Sequence, residues 1–171
     1  KRPVGSNGLI FLPYLNGTGN PHLDDDASAC FIGLTAAHTK DDMIRAVMEG
    51  VAYGVNDALQ SITDGIPSSV FFSGGGSYSP LWRQIMSDVL GSPLRCSKQA
   101  EASLMGAAML SMTAADVSPS LSEAEKLLPK PQIQQPVEEN RIRYQTIQVL
   151  YQSCYRQNKE ILRKLSHLRK E

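Results

Sequence analysis

The sequence predicts an α/β domain in which helices cover a β-sheet. Two observations support this prediction. Residues 69–72 form a β-branched and aromatic run that is followed by three glycines and then by an amphipathic helical pattern. Residues 93–97 form a second short strand pattern, and residues 102–112 follow it as a helix of mostly small side chains. Short strands that alternate with helices are typical of a sheet covered by helices.

The first 28 residues predict one strand and one long loop. Residues 8–15 form an apolar run broken by Pro13, which favours an edge strand that leads into a turn. Residues 16–28 are polar and rich in glycine and asparagine, so we expect a loop. Its three carboxylates at 24–26 could attract a cation, but no EF-hand spacing surrounds them. We therefore expect a solvated acidic run.

A long helix is predicted to begin after Thr39. Thr39 and Asp42 have the spacing of a capping box. Gly50 and Gly54 are costly in an exposed helix, so they indicate the close approach of another backbone. Apolar residues at three- and four-residue spacing predict the buried face of this helix: Met43, Ala46, Val47, Val51, Val55, Ala58, Leu59 and Ile62.

The helix after the glycines has clear ends. Ser79 is a favourable N-cap, Pro80 suits the first helical position and Gly91 suits the C-terminal cap. The apolar stripe that should face the core consists of Leu81, Trp82, Ile85, Met86, Val89 and Leu90.

The last quarter of the chain predicts a linker and a terminal helix. Another capping box starts a short helix at Ser120, and prolines 129, 131 and 136 predict a stiff linker. The chain is then helical from about Glu138, and we expect this helix to dock on the domain because its heptad pattern is not sustained. We divide the chain into 1–131 and 132–171. The predicted docking face contains Ile147, Leu150, Tyr151, Cys154, Ile161, Leu165 and Leu168.

Composition excludes several classes of protein. The 171 residues contain 17 basic and 17 acidic side chains, distributed as −4 over 1–131 and +4 over 132–171, so the two parts should attract each other. The balance disfavours nucleic-acid binding, and no apolar run approaches the roughly 20 residues that span a bilayer. Three widely spaced cysteines form neither a disulfide framework nor a zinc motif. We expect a cytoplasmic protein.

The glycine turn at 74–76 is the strongest indication of chemistry. A strand that ends in glycines and restarts as a helix exposes backbone N–H groups to an anion, so a phosphate or nucleotide could bind there. The turn matches neither a Walker loop nor a strict GxGxxG, and a tight turn without a ligand remains an alternative. His22 and His38 lack partners at a motif spacing, and no general base is evident from the pattern.

Several motifs in order resemble the FGGY carbohydrate kinases, in particular their xylulokinase-like members. The second signature of that family is similar to residues 29–49, and its LPYLxGERxPHxDPxARG stretch to residues 12–28. The adenosine motif is similar to residues 72–77 and 79–91, and the late EASxxGAA helix to residues 101–108. The resemblance extends over residues 8–112, and four positions depart from the GERxPHxDPxARG pattern: Thr18, Gly19, Asp25 and Ser28.

This resemblance implies an actin/hexokinase-type fold with two ribonuclease-H-like domains around a cleft. The chain would be the later part of the second domain, a mixed sheet with flanking helices that is incomplete at its N-terminus. By the resemblance, Gly74, Gly75 and Gly76 run along the ribose and phosphates of ATP and Ser79 contacts adenine. Gln84 and Trp82 support the loop.

The resemblance also implies an activity. We expect the C-terminal part of a kinase that transfers phosphate from MgATP to a pentulose or related polyol, with the catalytic Asp and the sugar site in an N-terminal domain upstream. Such a fragment would not turn over alone. The alternative is a non-catalytic nucleotide-binding or regulatory member of the same fold. Neither the sugar, the metal ligands nor pairing into a homodimer follows from the sequence.

Overall fold

The computed structural model describes residues 2–97, 102–127 and 129–168. In chain order, its strands are β1 (Ile10–Leu12), β2 (Cys30–Ile32), β3 (Val70–Phe72), β4 (Leu94–Cys96) and β5 (Gln132–Gln134). Its helices are α1 (Lys40–Gln60), α2 (Pro80–Leu90), α3 (Ala102–Ala114), α4 (Leu121–Glu125) and α5 (Glu138–Leu168). Two short 3-10 turns occupy Ser6–Gly8 and Gly75–Tyr78. None of the helices described is both long and apolar enough to cross a membrane.

The strands form two small sheets. β1 and β2 pair antiparallel, whereas β3 runs parallel to β4 and β5 pairs antiparallel with β4. This second, mixed sheet and its helices confirm the predicted fold class. The stiff linker predicted across residues 129–136 is wrong at its centre, because Gln132–Gln134 form β5. The division at residue 131 therefore falls just before a strand of the same sheet, and it stays a prediction.

Helix α1 has the predicted start but a different buried face. The capping box is present, since Thr39 donates its backbone N–H to Asp42 Oδ2 at 2.8 Å. Hydrogen bonds from Thr39 lower the pKa of the Asp42 carboxyl below its ordinary value. The predicted apolar stripe is only partly correct, because Val55 is 40% exposed and Ile62 is 73% exposed. The buried face instead contains Ala46, Glu49, Gly50, Ala52, Tyr53, Asn56 and Asp57.

Glu49 is the centre of a buried polar cluster between the N-terminus, α1 and α5. Its side chain accepts hydrogen bonds from the Gly5 N–H at 3.0 Å, the Ser6 hydroxyl at 2.7 Å and the Tyr144 hydroxyl at 2.7 Å. Arg45 forms an ion pair with it at 2.7 Å, from one turn earlier on α1. This cluster explains why a carboxylate occupies the face of α1 that the apolar pattern assigns to solvent.

Helix α5 packs against α2 and β1, and the docking face predicted from its sequence is partly correct. Leu150, Ile161, Leu165 and Leu168 are all more than half exposed, whereas Tyr151 is buried and Ile147 and Cys154 pack against the core. Tyrosine hydroxyls explain the difference, because they reach buried polar partners that aliphatic side chains cannot satisfy. The buried residues of α5 are Tyr144, Gln148, Tyr151, Tyr155, Leu162 and Ser166.

The acidic loop is bound to α5, which contradicts the expectation of a solvated run. Asp24 is 8% exposed, accepts the Tyr155 hydroxyl at 2.8 Å and lies 3.6 Å from Lys159 Nζ. Asp26 lies 3.6 Å from His167 Nε2. These contacts join the acidic and basic parts of the chain, as the charge distribution predicts. No group of three His, Cys, Asp or Glu side chains in the described residues is arranged to hold a metal ion.

His22 anchors the same loop against α1 and α5. Its Nε2 lies 3.8 Å from Asp57 Oδ2, and its ring packs on Tyr155 with centroids 4.2 Å apart. Burial lowers the pKa of His22, although Asp57 acts in the opposite direction. The sequence did not show this partner because 35 positions separate the two residues along the chain.

One hydrophobic core connects most of these elements. Leu12, Tyr53, Ile85, Leu94 and Tyr151 belong to a single buried cluster that spans β1, α1, α2, β4 and α5. A smaller cluster of Leu9, Phe11 and Ala46 lies on the other face of β1, as the alternation of side chains along a strand requires.

We predict that Gly50→Ala destabilises the chain by about 3 kcal/mol. A Cβ at Gly50 would lie 2.2 Å from the backbone oxygen of Phe11, so α1 would have to move away from β1. Urea unfolding followed by the fluorescence of the single tryptophan, Trp82, measures this change. The matched control is Gly106→Ala in α3, where a Cβ meets no atom within 4 Å. That change should stabilise by up to about 1 kcal/mol through helix propensity. Equal effects of the two substitutions would contradict the prediction.

The free energy of unfolding should also fall between pH 7.5 and 5.5 because of His22. Its folded-state pKa lies below the ordinary value of 6.5, so the unfolded chain binds the proton first as the pH decreases. One such group contributes at most about 1.4 kcal/mol per pH unit. Urea unfolding at both pH values should show a smaller loss in His22→Gln, whereas His167→Gln keeps His22 and should retain the loss. An unchanged pH dependence in His22→Gln would refute this assignment.

Candidate functional site

The candidate site is the turn between β3 and α2, at the carboxyl ends of two parallel strands. Ligands of α/β sheets bind preferentially at this edge. The N-terminus of α2 is well defined, because Ser79 Oγ accepts the Trp82 N–H at 3.3 Å and Pro80 occupies the first helical position. Gly91 ends α2 in the left-handed conformation, with φ of 65°. The predicted caps of this helix are confirmed.

Gly74 and Gly75 form the open part of the turn. Gly74 has φ of 89° and ψ of −179°, a combination that is essentially restricted to glycine. A Cβ added at either residue would meet no atom within 4 Å. The space beside the backbone here is therefore free in the described part of the molecule, and a ligand can approach the peptide groups closely.

Gly76 has a different environment, because the Trp82 ring covers it. A Cβ at Gly76 would lie 3.0 Å from Trp82 Cδ1 and Nε1. Trp82 also packs against the main core, so it connects the turn to the interior. Gln84 donates to Asp88 at 2.7 Å and to the backbone oxygen of Gln135 at 3.1 Å. Trp82 therefore supports the turn, as expected, whereas Gln84 connects α2 to the segment that follows β5.

Hydrogen bonds from the Ser77 and Arg83 side chains stabilise the conformation of the turn. The buried Ser77 hydroxyl donates to the Gly74 carbonyl at 2.7 Å, and Arg83 Nη1 donates to the Ser77 carbonyl at 2.9 Å. Arg83 Nε is buried and has no partner among the described residues. The sequence pattern did not single out either residue for this role, because both contacts depend on the 3-10 conformation of the turn.

The free donors of the turn are suited to an anion or a polar ligand. The first N–H groups of a helical turn have no partner within it, and no acceptor among the described residues takes those of Gly75 and Gly76. Ser79 can still donate its hydroxyl hydrogen while its oxygen accepts from Trp82. Burial raises the pKa of the Cys96 thiol at the end of β4, and Arg83 opposes that shift. Cys96 is therefore a weak nucleophile.

General acid–base groups are not part of this arrangement. Within the described ranges, no hydrogen bond or ion pair joins an Asp, Glu or His side chain to residues 74–79. His22 contacts Asp57, and His38 accepts the Thr35 N–H at 3.0 Å, a contact between near neighbours in the sequence. Glu101, part of the motif match, lies outside the described residues. The turn can bind and orient a ligand but holds no visible catalytic base.

A cavity of about 640 Å³ lies on the sheet face beside α3 and α4. Phe71, Met105 and Met109 give it apolar walls, and Arg95 and Lys126 lie at its edge. Residues 74–79 do not line it. It is therefore distinct from the glycine turn and marks an uncovered face of the sheet.

Comparison with known proteins relates this arrangement to one family. Residues 2–115 match the FGGY family of carbohydrate kinases, C-terminal domain. Over 98% of its length the chain is 30% identical to a xylulose kinase of Bacillus subtilis, of which it covers 34%. It is 33% identical over 86% of its length to a gluconokinase of the same organism, of which it covers 29%. The chain thus spans about a third of the length of these relatives.

A solved structure supports the same relationship. The crystal structure of a ligand-bound xylulose kinase from Lactobacillus acidophilus superposes with a TM-score of 0.83 at 29% identity, over 92% of this chain and 33% of that one. The fold is accordingly that of the actin/hexokinase ATPases, represented by part of a domain. The chain belongs to the FGGY family of carbohydrate kinases, corresponds to its C-terminal domain and resembles the xylulose kinases.

Proposed function

We propose that the chain is the nucleotide-binding part of a kinase that uses MgATP to phosphorylate a pentulose or related polyol. The observation that supports this most strongly is the glycine turn, whose unhindered peptide groups lie at the carboxyl edge of parallel strands in a family of carbohydrate kinases. ATP supplies the transferable phosphoryl group. Relatives that are named xylulose kinase and gluconokinase favour a sugar or sugar acid as the acceptor.

The residues of the turn fit the phosphate and ribose side of a nucleotide. The N–H groups of Gly75 and Gly76 have no partner among described residues, so they can donate to phosphate oxygens without losing an existing bond. By the resemblance, Ser79 contacts the adenine, and its hydroxyl can still donate there while its oxygen accepts from Trp82. Arg83 adds a positive charge while it holds Ser77. The Mg²⁺ ligands are not assigned to this chain.

The sugar site and the catalytic base would come from the rest of the polypeptide. Exposed apolar side chains on three elements favour contact with that part. Val55 on α1 is 40% exposed, Phe71 on β3 is 59% exposed and Leu104 on α3 is 65% exposed. β3 also has a partner on only one side in the described sheet. A helix that is apolar on all sides, like α3, is normally buried. We therefore expect the N-terminal portion to extend the sheet at β3 and cover these surfaces.

The decisive experiment is ADP release by the full polypeptide with MgATP and a panel of xylulose, gluconate and glycerol. Turnover with a pentulose supports the proposal in full, whereas turnover with gluconate or glycerol keeps the kinase and changes the substrate. Nucleotide binding without turnover on any sugar or polyol would favour the non-catalytic, regulatory alternative. Turnover by the 171-residue chain alone would contradict the assignment of the catalytic base to the rest of the protein.

Gly75→Val should raise the KM for ATP by about tenfold or more, equivalent to about 1.4 kcal/mol of binding. The valine side chain would enter the free space beside the turn, where the nucleotide is proposed to lie and where an added Cβ meets no atom of the described fold within 4 Å. The KM for the sugar should change little. Steady-state kinetics on the full polypeptide measures both constants.

Gly19→Val is the matched control, because Gly19 is also a loop glycine without a neighbour within 4 Å of an added Cβ. It should leave the KM for ATP unchanged. If Gly75→Val binds ATP as well as the unmodified protein does, the nucleotide does not lie against this turn.

A further inference from the structure

Tyr78 is a large aromatic side chain held at the rim of the glycine turn. It is 54% exposed, although its neighbour Ser77 is only 1% exposed. It ends the 3-10 turn Gly75–Tyr78 immediately before the cap residue of α2, Ser79. The motif match to the family covers residues 72–77 and resumes at 79, so Tyr78 is not one of the residues on which that match depends.

The geometry of the turn places Tyr78 beside the free space at Gly75. In a 3-10 helix, three residues complete one turn, so positions i and i+3 lie on the same side. Gly75 and Tyr78 have this spacing. The space beside Gly75 contains no atom within 4 Å of an added Cβ. The Tyr78 side chain therefore leaves the turn on the same side as the open space at Gly75.

The surroundings of Tyr78 are fixed before any ligand arrives. Arg83 holds the carbonyl of Ser77, Trp82 covers Gly76, and Ser79 caps α2. No ring contact of Tyr78 with another aromatic residue is present in the described part of the chain. A rigid aromatic ring whose faces are available for contact can stack on a flat ligand at a low cost in conformational entropy.

We propose that Tyr78 is a base-stacking residue of the nucleotide site and that its ring contacts the purine of the bound nucleotide. This inference rests on the proposed function and adds a specificity residue to it. Stacking on an aromatic face tolerates any base but is stronger for the larger purine surface. The site consequently prefers purine to pyrimidine nucleotides through contact area, while the backbone N–H groups bind the phosphates of either.

The test is to titrate MgADP, MgCDP and inorganic tripolyphosphate into the full polypeptide by calorimetry. Tyr78→Ala should weaken MgADP binding about tenfold, in the range expected for one stacked base. Tyr78→Phe keeps the ring and should stay within about twofold of the unmodified protein. Tripolyphosphate has no base, so its affinity should not change. The ratio of MgADP to MgCDP affinity should fall in Tyr78→Ala.

Leu150→Ala is the matched control, because Leu150 on α5 is also 54% exposed and should leave every affinity unchanged. Unaltered MgADP binding in Tyr78→Ala would overturn the stacking role and leave the proposed nucleotide site intact. Equal losses for MgADP and tripolyphosphate would also overturn it, since they would indicate a structural effect on the turn. If the unmodified protein binds none of the three ligands, the proposed function itself fails, and the stacking role with it.

Discussion

The buried carboxylate of Glu49 is the constraint on which the arrangement of the helices depends. A carboxylate removed from water is strongly destabilising unless charge and hydrogen bonds compensate it. Here Arg45 supplies the charge from the same helix, while Gly5, Ser6 and Tyr144 supply donors from the N-terminus and from α5. Because these donors come from three segments, the carboxylate is satisfied only when all three are in place. The ends of the chain are thereby fixed on α1.

Carboxylates that accept hydrogen bonds also connect α5 to α2, the helix that follows the candidate site. Asp88 on α2 accepts the Val137 N–H at 2.7 Å and the Asn140 side chain at 2.8 Å, close to the start of α5. Further along α5, the Gln148 side chain donates a hydrogen bond to Asp57 on α1 at 2.6 Å. Helix α5 therefore holds α1 and α2 through directional polar contacts. Since α2 carries the cap and the tryptophan that shape the glycine turn, the geometry of the turn depends on how α5 holds α2.

Sequence patterns predict the local features of this molecule and miss those that depend on distant partners. The caps at Thr39 and Ser79 and the glycine turn need only neighbouring residues, so they are visible in the sequence. The buried faces of α1 and α5 are only partly visible there, because partners such as Glu49 and Tyr144 are 95 residues apart and meet only in the folded chain. The exposure of Tyr78 likewise depends on a 3-10 turn, which the sequence periodicity does not predict. Each of the five strands in the described part of the chain has three residues, too few for alternation to show. β5 also consists of two glutamines around one isoleucine, so its composition gives no strand signal.

The distribution of side chains has a physical explanation in the proposed contact with the rest of the polypeptide. Within the described residues, polar groups with defined partners are buried between α1 and α5, whereas the aliphatic side chains Val47, Val55 and Leu104 face outward. A free-standing domain would be more stable with these aliphatic side chains buried, since burial of apolar surface contributes about 25 cal/mol per Å². The observed arrangement of side chains suits a domain whose helices are fixed by directional contacts and whose apolar sides are covered by the proposed extension of the sheet. In the proposed kinase, rigid internal geometry and an apolar outer surface would together present the glycine turn to a cleft that the rest of the polypeptide completes.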